Sequence, residues 1–414
     1  MFYNSGMDAE TKLELLADNA AFEAAEEKRG EAPPRDSVAA CGHSPLELKR
    51  AYDQIQAGSV STLETKKNSL GIHHAVMPGG KTIALLKTML TSACERDCYY
   101  CPFRAGRDFR RATFKPDEMA KTFNELQRSR IAEGLFLSSG IAGGGVRTQD
   151  KLIDTIDVLR NNLNYRGYVH LKIMPGTERD QVYRAMQLSD RISINLEAPN
   201  SARLAKLAPH KIFMEELLQP LRWAEEIRRT QPAYFGWNGK WPSLVTQFVV
   251  GAVGENDLEI LSTTSYVIKK LHLARAYYSA FNPVTDTPLE NHAPENPWRE
   301  HRLYQSSFLL RDYGFDLEDM PFAPDGFLPL DVDPKVAWAQ QNLRDPIEIN
   351  KADRRELLRV PGIGPKGVEA IIVARRQSTL RDLKDLKTLG VIVARAAPFV
   401  LLNGKRPSWQ LSLW

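Results

Sequence analysis

The sequence predicts an α/β protein: a partial (β/α)6 TIM-type barrel with an N-terminal helical extension and a small all-α C-terminal domain. Three observations predict it. Six short apolar segments alternate with helical ones over about 200 residues, the pattern of parallel strands joined by right-handed crossovers. Three of the four cysteines, Cys94, Cys98 and Cys101, fall in T-S-A-C-E-R-D-C-Y-Y-C-P-F (91–103), directly after the first of those segments. Beyond the last segment the rhythm stops, and the chain ends in basic helical sequence around P-G-I-G-P (361–365). The expected domains are a helical extension at 1–79, the barrel at 80–285, a post-barrel helix and Pro-rich linker at 286–345, and the all-α module at 346–414.

In chain order, residues 12–30 read as an amphipathic helix ending at Gly30, followed by a turn-rich loop carrying Cys41. Cys41 fits a free thiol, a substrate-facing group or a small apolar filler. Ser44 and Pro45 suit the N-cap and first turn of a second helix running to about Gln56. M-P-G-G-K-T-I (77–83) is not a phosphate-binding loop, because position 75 is alanine and no strand is expected before it. The alternation then begins. Strands are expected at 83–91, 134–139, 167–174, 191–196, 243–250 and 274–281, with helices at 116–131, 148–162, 179–188, 212–229 (Pro220 as a kink or restart) and 256–271. Six units make a partial barrel rather than the full eight, with the active face at the strand C-termini. The cysteine loop, S-S-G (138–140), E-A-P-N (197–200) and F-N-P (281–283) all lie there. A helix at 298–313 ends at Gly314; its charged first turn, Arg299 to Arg302, suits either a cap on the barrel mouth or a solvated helix start. Residues 315–345 read as linker.

Composition narrows the function. With 43% hydrophobic residues the chain can bury a core, so it is not a disordered tail. No apolar run approaches a membrane span of roughly 18 residues, and the first residues lack a secretory pattern. Few cysteines, most of them clustered, point to a reducing, cytoplasmic setting rather than a disulfide scaffold. The net charge of +4 is unevenly spread: residues 345–414 carry thirteen Lys/Arg against seven Asp/Glu, or +6, leaving −2 on the rest. That concentration favours a polyanion-binding tail.

Thiolates are soft ligands for iron–sulfur clusters or zinc, and close spacing lets one loop wrap one centre. Three ligands leave one iron of a four-iron cluster open, which suits chemistry rather than scaffolding. A zinc site completed by a distant residue, or incidental thiols, remain alternatives at this point.

C-x-x-x-C-x-aromatic-C at the end of a first barrel strand, with Tyr100 as the aromatic, resembles the signature of the radical S-adenosylmethionine (radical SAM) enzymes. The resemblance covers about residues 80–285 and implies a [4Fe-4S] cluster on Cys94, Cys98 and Cys101. It also implies S-adenosylmethionine chelated to the unique iron, and an external one-electron reductant such as flavodoxin or ferredoxin. By the same resemblance Ser138, Ser139 and Gly140 stand where backbone receives the methionyl ammonium, although the family's acid is absent there. Asn195 and Glu197 match the ribose contacts, Arg203 the methionyl carboxylate and Gly251 the segment near adenine.

The substrate end reads as nucleic acid. P-F-R-A-G-R-D-F-R-R-A-T-F-K (102–115) interleaves phenylalanines with Arg104, Arg107, Arg110 and Arg111, able to pair with phosphates while aromatic faces stack on bases. A solvated basic loop is the plainer reading. Residues 349–376 resemble the helix-hairpin-helix motif of DNA-repair and DNA-uptake proteins. In that motif Gly362 and Gly364 open the turn, and Lys366 joins the second helix's amides in holding a phosphate. A degenerate second hairpin is expected around 388–390. Together these features resemble radical SAM proteins of the DNA modification/repair type, with DNA a more expected partner than RNA and no membrane partner.

Overall fold

The computed structural model describes residues 7–20, 70–76, 80 and 82–408. Of the N-terminal expectations, only α1 (Ala9–Ala20) is within them. The rest of helix 12–30, the Cys41 loop, the second helix and most of 77–81 lie outside the described residues. The chain divides into two compact units: unit 1 is Met1–Glu255 with Tyr266–Pro297, and unit 2 is Asn256–Ser265 with Trp298–Trp414.

Unit 1 is built on one seven-stranded sheet in chain order: β1 (Ile72–Val76), β2 (Thr82–Met89), β3 (Gly134–Ser138), β4 (Val169–Lys172), β5 (Arg191–Ser193), β6 (Ser243–Val250) and β7 (Arg275–Ala280). From β2 to β7 every pairing is parallel, so each connection must cross over. Four crossovers carry α2 (Pro116–Arg128), α3 (Gly145–Asp157), α4 (Arg179–Leu188), and the pair α5 (Ser201–Leu207) and α6 (Gln219–Thr230); α7 (Asp257–Leu271) precedes β7. This is the expected partial (β/α)6 barrel. β1 is an addition that the sequence reading missed. It pairs antiparallel with β2, Val76 opposite Thr82. A strand therefore does precede 77–83, but the next element is the strand β2 and not a helix, so the phosphate-loop pattern is still not met.

The strand residues sort by face. Leu86, Leu135, Leu137, Val169, Leu171, Ile192 and Leu244 are all fully buried and share one face through the register. The opposite face holds a smaller cluster made solely of strand residues and their flanks, Ala75, Ile83, Leu85 and Phe136 with Tyr168 against them. Among the described residues no helix contributes to that cluster, in keeping with a concave side. At the N-terminal ends of β4 and β5, Arg160 reaches in from a π-helical turn (Val158–Asn162) that continues α3. Its guanidinium donates to the carbonyls of Leu188, Tyr165 and Gly167 at 2.8–3.0 Å and pairs with Asp190 at 3.2 Å.

In unit 2, Asp257 at the start of α7 is wholly buried, accepting from Arg299 Nε at 2.7 Å and from the Leu328 amide at 2.9 Å. Arg299 lies in α8 (Pro297–Asp312), and Arg302 one turn on donates to the Leu330 carbonyl at 2.7–3.0 Å. Both arginines are buried, which corrects the reading of this turn as solvated. The segment 315–345 is not bare linker either. It contains α9 (Pro334–Asn342), whose N-cap Asp333 accepts from Lys335 and Val336 and whose first residue is proline. A loop reading drawn from proline count overlooked that Asp-Pro is also a helix start.

The remainder forms four short helices, α10 (Arg354–Arg359), α11 (Pro365–Gln377), α12 (Leu383–Thr388) and α13 (Val393–Ala396), with a two-residue ladder of β8 (Ile347–Glu348) and β9 (Val400–Leu401). Asp353 and Glu356 make a reciprocal cap on α10. Leu357, Val360, Ile363, Val368, Ile371, Leu386, Val391 and Ala396 form their core. Gly362 is left-handed (φ 81°), and a Cβ there would sit 2.4 Å from the Ile392 carbonyl, so the two turns touch only because it is glycine. Lys335 fixes the first turn from beneath, donating to the Ile363 carbonyl at 2.6 Å.

Candidate functional site

The cysteine loop leaves the C-terminal end of β2 and is tied down residue by residue. Gly140 N donates to Thr91 O at 2.7 Å, Glu95 N to Ile141 O at 2.8 Å and Tyr99 N to Leu207 O at 2.8 Å. The side chains between the thiols are anchors. Glu95 accepts from the amides of Gly143 and Gly144 at 3.0–3.1 Å, Arg96 pairs with Glu216 at 2.6 Å, and Asp97 pairs with His210 at 2.9 Å. Cys98 is buried, Cys94 and Cys101 are half-buried, and all three are free thiols. Among the described residues no three Cys, His, Asp or Glu side chains converge on a single metal ion.

The expected site residues distribute as follows. Gly140 packs against the loop itself: a Cβ there would lie 2.3 Å from the Ala93 carbonyl oxygen and 3.2 Å from Cys94 Cβ. Ser139 Oγ donates to the Gly140 carbonyl at 2.7 Å, while Ser138 Oγ is buried with no hydrogen-bond partner. Glu197 sits in a left-handed backbone conformation (φ 64°), rare for a residue with a side chain and characteristic of sites held by their surroundings. Its Oε1 accepts from Lys211 at 3.0 Å and its buried Oε2 is orphaned. Asn195 is half-buried just after β5. Arg203 donates to the Val253 carbonyl at 3.0 Å, and Asn200 caps its helix, α5. Gly251 is left-handed (φ 88°), and a Cβ there would run into Glu295.

Burial pushes the Cys98 thiol up, with Lys211 opposing it, and burial followed by the Cys98 charge pushes Cys101 up. Burial likewise raises the Tyr100 hydroxyl, aided by the Glu197 carboxylate. Burial also resists ionisation of Glu197, but Lys211 and then Lys172 outweigh it and hold its carboxyl below the ordinary value. Lys211, whose own ammonium is held by Cys98 and Glu197 against burial, is the site residue that the sequence reading missed. Nothing local announces it: it is one lysine in a loop after α5, brought to the thiols by Tyr99–Leu207 pairing. Glu95 was also missed, although it lies inside the motif.

The four loop arginines divide into two pairs. Arg111 donates to the carbonyls of Ser92, Phe103, Arg104 and Arg107, and stacks over Phe109 at 4.2 Å. Arg107 donates to Pro102 O and Thr285 O. These two hold the loop. Arg110 is exposed, and Arg104 lies 6.0 Å over Tyr99 with its buried Nε unpartnered. Gly362, Gly364 and Lys366 belong to unit 2, where Gly364 is the N-cap of α11 and Lys366 lies in that helix's first turn.

The fold and loop define a class: a partial (β/α)6 barrel presenting three free thiols at the C-terminal end of its first parallel strand. No protein-family model matches the chain, and no curated protein sequence matches it. Among solved structures it is similar to HydG, a maturase of the FeFe-hydrogenase (10% identity, TM-score 0.43), over 55% of this chain and 49% of that one. It is also similar to methylornithine synthase (13%, TM-score 0.44; 67% and 75%) and to a radical SAM methyltransferase from Sphaerobacter thermophilus (12%, TM-score 0.39; 68% and 85%). No helix among the described residues is long and apolar enough to cross a membrane.

Proposed function

We propose that the chain is a radical SAM enzyme that acts on DNA. The observation that carries the reading is the thiol loop: three spread cysteines at the C-terminal edge of the first parallel strand, with Gly140 beneath them and the orphaned Ser138 Oγ and Glu197 Oε2 beside them. The residues fit the group. Cys94, Cys98 and Cys101 would hold a [4Fe-4S] cluster, and the strand ends at Ser138–Gly140, Asn195, Glu197, Arg203 and Gly251 would hold S-adenosylmethionine. Bound there, cluster and cofactor supply one-electron cleavage of the sulfonium and a carbon radical for hydrogen abstraction.

The chain's own residues do the remainder. Lys211 sets a positive charge beside the thiolates and offsets their mutual repulsion on burial. Glu197 offers an acceptor oxygen to a hydroxyl. The loop arginines Arg104 and Arg110 suit a phosphodiester backbone. Unit 2, read as a helix-hairpin-helix module, would deliver duplex DNA through the amides after Gly364 and through Lys366. A base reached this way must be unpaired or flipped.

Anaerobic reconstitution, one-electron reduction and quantification of 5′-deoxyadenosine test the chemistry. The wild type should form it, and Cys98→Ala should lose both it and the cluster's absorbance. Incubation with DNA and RNA pools followed by nucleoside mass spectrometry tests the substrate. Tenfold tighter binding of tRNA than of DNA, about 1.4 kcal/mol, would move the assignment to RNA.

A further inference from the structure

At the end of the unit 1 sheet away from the thiol loop lies a cavity of about 700 Å³. It opens where β2, β3 and β4 begin, and the four strand steps from Gly134 to Ser138 set it roughly 13 Å from the strand ends that carry the loop. Its floor is buried and largely apolar, made by Ala84, Ala132 and Tyr165. Its rim carries the exposed Arg128, Arg130 and Arg166. Among the described residues the side chains of Arg128 and Arg130 make no hydrogen bond or ion pair, nor do those of Asn124, Gln127 and Asn164 on the same walls. Arg166 lies 5.4 Å over the Trp237 ring, a contact through the ring face that leaves its N–H donors open. One acid lines the cavity, Glu133, and its Oε2 already accepts from the Ala84 amide at 3.1 Å. The walls are fixed in place. The Tyr165 hydroxyl donates to the Glu133 carbonyl at 2.7 Å, and Arg160 holds the Tyr165 and Gly167 carbonyls. Arg130 takes a left-handed backbone (φ 58°) in the turn that closes α2, where Ile131 N donates to Leu126 O at 2.9 Å. Glycine is the usual occupant of such a turn, so folding alone does not call for an arginine there.

We infer that this cavity is a second ligand site, distinct from the thiol loop, that binds a phosphate-bearing small molecule. Guanidiniums grip phosphate oxygens through two parallel N–H donors, and here the rim offers three of them. The negative ends of the two helical turns that wall the cavity are each worth roughly half a charge; with Glu133 they offset about two of the three positive charges. The balance stays positive, so the cavity attracts anions. Asn124, Gln127 and Asn164 add neutral donors and acceptors suited to hydroxyl groups, and His74 adds a ring nitrogen. The volume falls in the ordinary range for small ligands, roughly 300–1,000 Å³, and admits a molecule of nucleotide size. The inference depends on the barrel alone and not on the chemistry proposed at the thiols.

The test titrates full-length protein calorimetrically with pyrophosphate and ATP, with ribose as the uncharged probe. The wild type should bind both phosphate probes and not ribose. Arg128→Gln should weaken pyrophosphate binding at least fivefold at an unchanged Tm, since that side chain holds nothing in the fold. Arg130→Gly should weaken it as much while holding or raising Tm, because glycine is relaxed in that left-handed turn. Affinity lost without loss of Tm is not the signature of an arginine that serves the fold alone. Both variants should leave the binding of a trinucleotide unchanged; a trinucleotide affinity that falls with them gives the rim to a nucleic-acid strand and overturns the small-molecule assignment. No binding of pyrophosphate or ATP by the wild type, or binding unchanged in both variants, overturns the site itself.

Discussion

Gly140→Ala is the sharpest probe of the thiol loop. The added methyl would stand 2.3 Å from the Ala93 carbonyl oxygen, 2.9 Å from its carbon and 3.2 Å from Cys94 Cβ. Two of these are backbone atoms of the loop, so no rotamer change relieves the clash. Restoring ordinary contact requires the loop to retreat by about 1 Å, a shift large enough to spoil a reactive geometry. The retreat strains the hydrogen bonds Gly140 N–Thr91 O and Glu95 N–Ile141 O. Overpacking of this kind costs about 1–3 kcal/mol, and one lost hydrogen bond about 1 more. At roughly 2 °C per kcal/mol, Tm should drop by about 4–8 °C, leaving a folded protein. Iron and sulfide per chain after reconstitution should fall at least fivefold, and cofactor cleavage with them. Calorimetry and iron analysis read the two effects separately. Wild-type iron content at an unchanged Tm would refute the close approach on which the site is built.

Lys211→Met should destabilise unit 1 by about 3–5 kcal/mol, because Glu197 is left as a buried charge without its nearest partner. In the wild type Glu197 stabilises above its unfolded value and loses that stabilisation as pH falls through its lower folded one. With Lys211 gone, burial reverses the sign, so urea unfolding should show the variant relatively weaker at pH 8 than at pH 5; a parallel pH dependence would count against the pairing. Lys335 is brought down to about 7 by burial. Unit 2 should therefore gain stability as pH rises from about 7 towards 10.5, by something on the order of 4 kcal/mol, and Lys335→Met should flatten that rise in denaturant titrations. Arg110→Ala should lower the salt slope of nucleic-acid binding by about 0.9 and leave Tm alone, whereas Arg111→Ala should lower Tm. Equal effects of the two would contradict the division of the loop.

The barrel was legible because its signal is local: short apolar runs at fixed alternation with helices set strand order without any tertiary information. Helix Arg179–Leu188 and strand Ser243–Val250 match their expected ends. β1 was not legible, because I-H-H-A-V carries two exposed histidines and pairs only through a hairpin. The clustering of the three thiols is plain in the sequence, and so are the glycines at 140 and 251, but what the structure shows at those glycines, close approach to the Ala93 carbonyl and to Glu295, consists of contacts between distant segments. Lys211 was illegible for the same reason. The loop arginines misled in part: sequence shows guanidiniums and cannot show that Arg107 and Arg111 are spent on carbonyls.

Those two arginines have a consequence for how the loop keeps its shape. Between them they hold the carbonyls of Ser92, Pro102, Phe103, Arg104, Arg107 and Thr285, wrapping the segment on its own guanidiniums. These bonds are internal to the polypeptide, so the segment after Cys101 draws its shape from its own guanidiniums rather than from any bound group. On the function proposed above, protease resistance of this segment should be the same before and after reconstitution with iron and sulfide.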